Sequence, residues 1–193
     1  MKKIIFAVQK KMFSSRLSKE IAGGSKQLTK PISFENTKSI GVLVDCSRKQ
    51  DLPAIQTYVE ELKNQGKTVE VLGYNSSNHT TPFKTFTNKI TNWYGVPKDK
   101  ITTNFINTPF DILIALYWEK ILPLDYVLAH SKAHLKIGQY HAYKKNYLDI
   151  MIDVSDTPTM VEFVETTKKW LSIVNREEKK VGKKKNKTNL VEV

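Results

Sequence analysis

The chain has 193 residues, 40% of them apolar, and carries 31 Lys+Arg against 19 Asp+Glu for a formal net charge of +12. That length supplies one domain with segments to spare, since about 150 residues already bury roughly 70% of the surface their unfolded chain exposes. Apolar runs at 40–44 and 112–117 exclude disorder over the whole chain; no apolar run approaches the ~18 residues that span a bilayer, and the single cysteine, Cys46, excludes a disulfide scaffold and a cysteine zinc ribbon.

Residues 4–21 (IIFAVQKKMFSSRLSKEI) repeat apolar positions every three to four residues with lysines between, and Gly23-Gly24 follows. The pattern predicts a basic amphipathic helix within residues 1–24. Its apolar stretch of five residues is too short for a secretory signal, whereas its basic, acid-poor character leaves a transit peptide, membrane-surface contact, RNA contact and docking on the domain as readings. Residues 25–37, with Pro31 and several polar residues, read as a linker.

Strand and helix alternate from residue 38. SIGVLVD (39–45) is the continuous apolar run of a strand covered on both faces. Residues 52–62 place Ala54, Ile55, Tyr58, Val59 and Leu62 on one helical face, with Asp51 as the expected cap and Gly66 as the stop. Residues 68–72 form the next strand, completing a βαβ unit whose strands should be parallel. Residues 74–110 carry a polar loop and scattered aromatics without a clear period. DILIALY (111–117) is then a buried strand; residues 123–133 a helix facing Leu124, Val127, Leu128 and Ser131 inward; 134–138 and 147–154 two further strands. The last helix opens at Thr157-Pro158 and is expected to bury Val161, Val164, Leu171 and Val174. The sum is an α/β domain over 38–175, an open, mostly parallel five-stranded sheet with helices on both faces in the Rossmann-like or flavodoxin-like manner. A lysine-rich tail covers 176–193.

The charge is not spread evenly over this layout. Residues 1–30 hold eight bases and one acid, residues 175–193 seven bases and three acids, and the 144 residues between them 16 bases and 15 acids. Attraction to a polyanion therefore belongs to the ends, where lysines stay solvated and gain free energy by displacing counterions on contact. Lysine-rich ends also serve plain solubility.

A ligand of a doubly wound sheet lies beyond the carboxyl ends of its strands, here Asp45-Cys46-Ser47, Trp118-Glu119, 139–141 and 153–156. The first βα turn, DCSRKQDLP, has no glycine, so the backbone cannot close on a phosphate as dinucleotide sites require, and no GxxxxGK[ST] occurs anywhere. Asp45 has no second carboxylate at short spacing and reads first as a turn former. Cys46 lacks a phosphatase loop and reads as packing. His130 and His134 stand four apart, but in HSKAH rather than HExxH, and His134 should open a strand, so no metal site is expected. Trp93-Tyr94 near Lys98 and Lys100, and Tyr140 to Tyr147 near Lys144 and Lys145, could stack on bases, or else form core edges beneath extended lysines.

SIGVLVD (39–45), PFDILIALY (109–117), LPLDYVLAHSKAHLKIGQY (122–140), YLDIMIDV (147–154) and the final helix ending WLSIVN (170–175) resemble an uncharacterised family of small Bacteroidetes, chiefly flavobacterial, proteins known as a domain of unknown function. That resemblance implies no activity and no site residues. A looser topological similarity links the strand, helix and SKAHLKIG to the N-terminal half of heptosyltransferase-like glycosyltransferases, whose sugar-nucleotide domain this length cannot supply.

The expectation is a non-enzymatic, cytoplasmic protein, without cofactor, that attaches to structured RNA or a ribonucleoprotein such as the ribosome. Lys2, Lys3, Lys10, Lys11 and Arg16 at one end, and Lys183, Lys184, Lys185 and Lys187 at the other, would contact phosphates. The alternatives are a small enzyme or ligand-binding domain using a crevice at Asp45, Ser47 and Glu119, and peripheral attachment to an anionic membrane through the first helix.

Overall fold

The computed structural model describes residues 34–77, 79–92, 96–154 and 159–172. The basic helix, most of the linker, the tail, Trp93-Tyr94 and all nine phosphate-contacting bases named above lie outside the described residues.

Among the described residues six strands form one parallel sheet: β1 (Ser39–Asp45), β2 (Thr68–Tyr74), β3 (Lys84–Phe86), β4 (Ile112–Leu116), β5 (Leu135–Gln139) and β6 (Ile150–Ile152), in the order β3-β2-β1-β4-β5-β6. The helices are α1 (Leu52–Asn64), α2 (Lys100–Asn107), α3 (Leu122–His130) and α4 (residues 160–172). This is the strand order of doubly wound sheets, in which the chain runs outward in one direction from β1 and then in the other from β4. The α/β reading holds, with six strands rather than five. The added strand, β3, has only three residues and pairs with the end of β2 alone, Leu72 to Tyr74; three residues are too few to show a period.

Alternate side chains of the central strands feed two cores. On one face Ile40, Val42 and Val44 of β1 and Ile112 and Ile114 of β4 pack against Ile55, Val59 and Leu62 of α1 and Phe163, Val164 and Leu171 of α4. On the other, Leu43, Leu113 and Ala115 meet Phe105 of α2 and Leu124, Val127 and Leu128 of α3. Neighbouring side chains close on the strand backbone at two glycines. A Cβ on Gly41 would lie 2.8 Å from the Phe110 ring, and one on Gly73 would clash with Cys46 Sγ.

Several element ends differ from expectation. The α3 helix stops at His130, because Ser131 leaves the helical region (ψ 138°) and its hydroxyl accepts from Ala133 N at 3.2 Å. Before β6, Tyr147 and Leu148 both donate to Lys144 O, and the Asp149 carboxylate accepts from Lys136 N at 2.7 Å, so residues 147–149 form a turn that docks the strand rather than part of it. Val161 is 58% exposed; Met160, Phe163 and Thr167 take the inward positions with Val164 and Leu171. Val174 lies outside the described residues.

Residues just before 38 also pack on the domain. Phe34 packs on the α1–α4 core, and the Lys67 ammonium donates to Phe34 O (2.8 Å), Glu35 O (3.3 Å) and Thr37 O (2.7 Å) while lying 4.9 Å from the centre of the Phe34 ring. Next to this clamp, Asp111 Oδ2 accepts from Lys38 N, Ser39 N and Ser39 Oγ, tying the start of β1 to that of β4. Burial opposes ionisation of Asp111, but these hydrogen bonds outweigh it and hold the carboxyl below its ordinary pKa.

Candidate functional site at the carboxyl ends of β1, β4 and β5

The reversal of strand order lies between β1 and β4, so the residues following those strands flank the crevice that doubly wound folds use for ligands. After β1, the Asp45 carboxylate accepts from Ser47 N at 2.9 Å, an Asx turn within the glycine-free loop. The Ser47 hydroxyl accepts in turn from Ser76 N at 2.9 Å and pairs with Ser76 Oγ at 2.8 Å, joining the loops that follow β1 and β2. Asp45 is buried and Ser47 half-buried.

Asp51 was expected to cap α1. It stands at the N-cap position, but its side chain makes no cap hydrogen bond; Oδ2 accepts from Arg48 Nε at 2.8 Å and from Trp118 Nε1 at 3.2 Å. The reason is geometric: Asp51 has helical dihedrals (φ −87°, ψ −22°), whereas a capping carboxylate needs an extended N-cap residue to fold back on its own helix. The Trp118 indole also packs on Phe163 of α4 with ring centres 5.2 Å apart. One side chain after β4 thus bridges the two helices on that face.

Of the three crevice residues, the structure joins Asp45 and Ser47. Glu119 is exposed beyond β4, and no hydrogen bond links it to either among the described residues. Cys46 is fully buried beneath Gly73. Burial first, and the neighbouring Asp45 charge second, push its thiol up to about 12, which disfavours the thiolate. The histidines spread apart. His130 stacks on Tyr126 and donates from Nδ1 to Tyr126 O, His134 is exposed ahead of β5, and His141 donates from Nε2 to Trp118 O at 2.7 Å. Among the described residues no three His, Cys, Asp or Glu side chains gather as metal ligands. Burial and the nearby Lys144 charge hold His141 below its ordinary pKa, against the opposing hydrogen bond to Trp118.

Beneath this rim lies a cluster that sequence reasoning missed. Tyr117, directly after β4, is fully buried and donates to Asp125 Oδ1 of α3 at 2.9 Å. Lys144, in a one-turn 3-10 segment (Ala142–Lys144), is also fully buried, with Nζ 3.9 Å from the centre of the Tyr117 ring. Tyr143 stacks on His141, carries Lys120 Nζ 4.7 Å from its ring centre, and keeps its hydroxyl buried. Burial raises the Asp125 carboxyl to about 6 and lowers the Lys144 ammonium to about 8, each partly countered by the other's charge. The segment from Tyr140 to Tyr147 is therefore a core edge more than a stacking platform: of its three tyrosines Tyr147 is buried, Tyr143 half-buried and Tyr140 43% exposed. Nothing in the spacing YKKNY separates a buried lysine from an exposed one; the only hint was an aspartate amid the apolar positions of LPLDYVL.

A family model described as a family of unknown function (DUF6913) matches residues 8–174. No curated protein and no solved structure matches. The chain belongs to that family, whose match takes in most of the expected basic helix as well as the sheet.

Proposed function

We propose that this DUF6913 chain is a cytoplasmic, non-enzymatic protein that attaches to structured RNA or a ribonucleoprotein, such as the ribosome, through its basic ends. The observation that carries the reading is the partition of charge: 15 of the 31 bases lie in residues 1–30 and 175–193, against four of the 19 acids, while the intervening domain is close to neutral. Phosphate contacts of this kind give affinity and orientation without sequence preference.

The crevice chemistry supports the same reading. Where a nucleotide phosphate would approach the first βα turn, the Asp45 carboxylate already accepts the Ser47 N–H, and the Asp51 carboxylate stands at the start of α1. A second anion there would face like charge in place of free donors. The test is filter binding of the full chain to ribosomal RNA across a salt series, wild type against a variant with Lys2, Lys3, Lys10, Lys11, Arg16, Lys183, Lys184, Lys185 and Lys187 changed to Gln. The expected result is tight binding whose log–log salt slope shrinks by several units in the variant. Equal affinity and slope for the two proteins would sink the reading, and binding of anionic vesicles in preference to RNA would move the partner to a membrane surface.

A second reading, a small enzyme or ligand-binding domain, draws on the strand order, which puts the crevice between β1 and β4 beside Asp45, Ser47 and the exposed Glu119. Such a ligand would be neutral or cationic, given the two carboxylates. It predicts a thermal shift with a member of a sugar or nucleoside library that Asp45→Ala abolishes; no shift across the library counts against it.

A further inference from the structure

The buried cluster beneath the β4–β5 rim leaves three polar atoms without a hydrogen-bond partner: Asp125 Oδ2, Tyr143 Oη and Lys144 Nζ. Each belongs to a residue tied to the next. The Tyr117 ring carries Lys144 Nζ on its face and holds Asp125 at its hydroxyl, so the ammonium and the carboxylate adjoin the same phenol. Lys144 and Tyr143 are neighbours in the chain, and the Tyr143 ring centre lies 5.8 Å from Lys144 Nζ. Buried groups of this kind are costly unless paired, and a cation on a ring face satisfies none of its N–H donors.

We propose that Asp125, Tyr143 and Lys144 surround an internal hydration site, in which water accepts from the Lys144 ammonium, donates to Asp125 Oδ2 and meets the Tyr143 hydroxyl. The chemistry of the lining selects such a guest. An anion would face Asp125, a metal cation would face Lys144, and an apolar guest would leave all three atoms unpaired. Water supplies both donor and acceptor, and about three bonds to otherwise unsatisfied polar groups are what a buried water molecule makes. Its role is positional. Asp125 sits on α3 and Lys144 on the crossover between β5 and β6, so a water-bridged ion pair anchors residues 140–149 against the helix that precedes β5. That crossover also carries His141 and Tyr143, the partners of Trp118 O and of Lys120 at the crevice rim.

Two measurements test the proposal. In a high-resolution crystal structure of the wild-type protein near pH 7, solvent density should lie within hydrogen-bonding distance of both Lys144 Nζ and Asp125 Oδ2. Direct contact of those two atoms, or dry packing between them, would overturn it. Oxygen-17 relaxation dispersion then compares long-lived internal waters in the wild type with those in the double variant Asp125→Asn, Lys144→Met. The double variant should lose at least one, and an unchanged count would overturn the proposal. Should the double variant fail to fold, Tyr143→Phe takes its place: removing one of the three partners should shorten the residence time of that water several-fold, and an unchanged residence time counts against the site.

Discussion

Lys144 Nζ rests 3.9 Å from the centre of the Tyr117 ring, on a side chain fully withdrawn from solvent. The aromatic face offers the ammonium electrostatic attraction without a hydrogen bond, and the carboxylate that would neutralise it, Asp125, is engaged by the hydroxyl of that same tyrosine. Burial therefore works against both charges at once. The carboxyl is raised to about 6 and the ammonium lowered to about 8.

The pH dependence of stability follows from those two directions. For Asp125, raised from 3.8, the unfolded chain releases its proton first, so stability falls as pH climbs from about 4 to about 6. For Lys144, lowered from 10.5, the folded chain releases its proton first, so stability recovers as pH climbs from about 8 to about 10. The pair's contribution is lowest between pH 6 and 8, by something on the order of 1–3 kcal/mol. His141, held low by burial and by Lys144, works the other way across mildly acidic pH. The measurement is accordingly a difference curve: urea unfolding of Asp125→Asn minus wild type should rise between pH 4 and 6 and then level off. A difference curve flat from pH 4 to 7 would contradict the assignment.

Gly73 lies against Cys46 so closely that a methyl group there would clash with the sulfur. Neither residue can yield easily, since β2 is paired with β1 on one side and β3 on the other. Gly73→Ala should destabilise the domain by about 1–3 kcal/mol through overpacking. Removing the sulfur as well, in Gly73→Ala, Cys46→Ala, should recover part of that loss. A double-mutant cycle reads the coupling directly, and additivity of the two changes would refute the contact.

Asp51 and Asp45 are both buried acids at the crevice, yet their loss should not cost the same. Asp51→Ala removes the partner of the Trp118 indole N–H and of the part-exposed Arg48 Nε–H, two donors on different elements, and is expected to cost about 2 kcal/mol. Asp45→Ala frees only the Ser47 N–H of a half-buried turn and should cost under about 1 kcal/mol. Thermal or urea denaturation of the two variants checks the order; an equal loss would mean that the Trp118 bridge contributes little.

What the chain discloses before folding tracks how many residues share a signal. Strands β1 and β4 were legible because each is a continuous apolar run, and the parallel pairing of β1 with β2 because an amphipathic helix lies between them. Strand β3 escaped because its three residues are too few to show a period, and it pairs with β2 at three positions. The Asp45–Ser47 turn was legible as local chemistry. The cluster of Tyr117, Asp125 and Lys144 was not, because it joins residues from the end of β4, from α3 and from the crossover after β5 that meet only once the sheet has formed. In the sequence, Lys144 and Lys145 look alike; the fold buries the first and exposes the second.

Lys67 shows how one side chain sets the edge of the domain. It follows Gly66, whose φ of 77° suits a residue without a side chain and turns the chain from α1 into β2. From there its ammonium reaches the carbonyls of Phe34, Glu35 and Thr37. Three acceptors match the three donors of an ammonium, and the lysine stem covers the Phe34 ring. Lys67→Met keeps the stem and removes the donors. Because the site is part-exposed, the loss of global stability should be modest, about 1 kcal/mol. The local effect should be larger. Amide protons at residues 38 and 39, whose N–H groups donate to Asp111 beside this clamp, should exchange at least several-fold faster in the variant, while those in the middle of β4 keep their protection. Uniform loss of protection across β1 and β4 would instead make Lys67 a global stability residue, and unchanged exchange at 38 and 39 would show that Phe34 alone holds the segment.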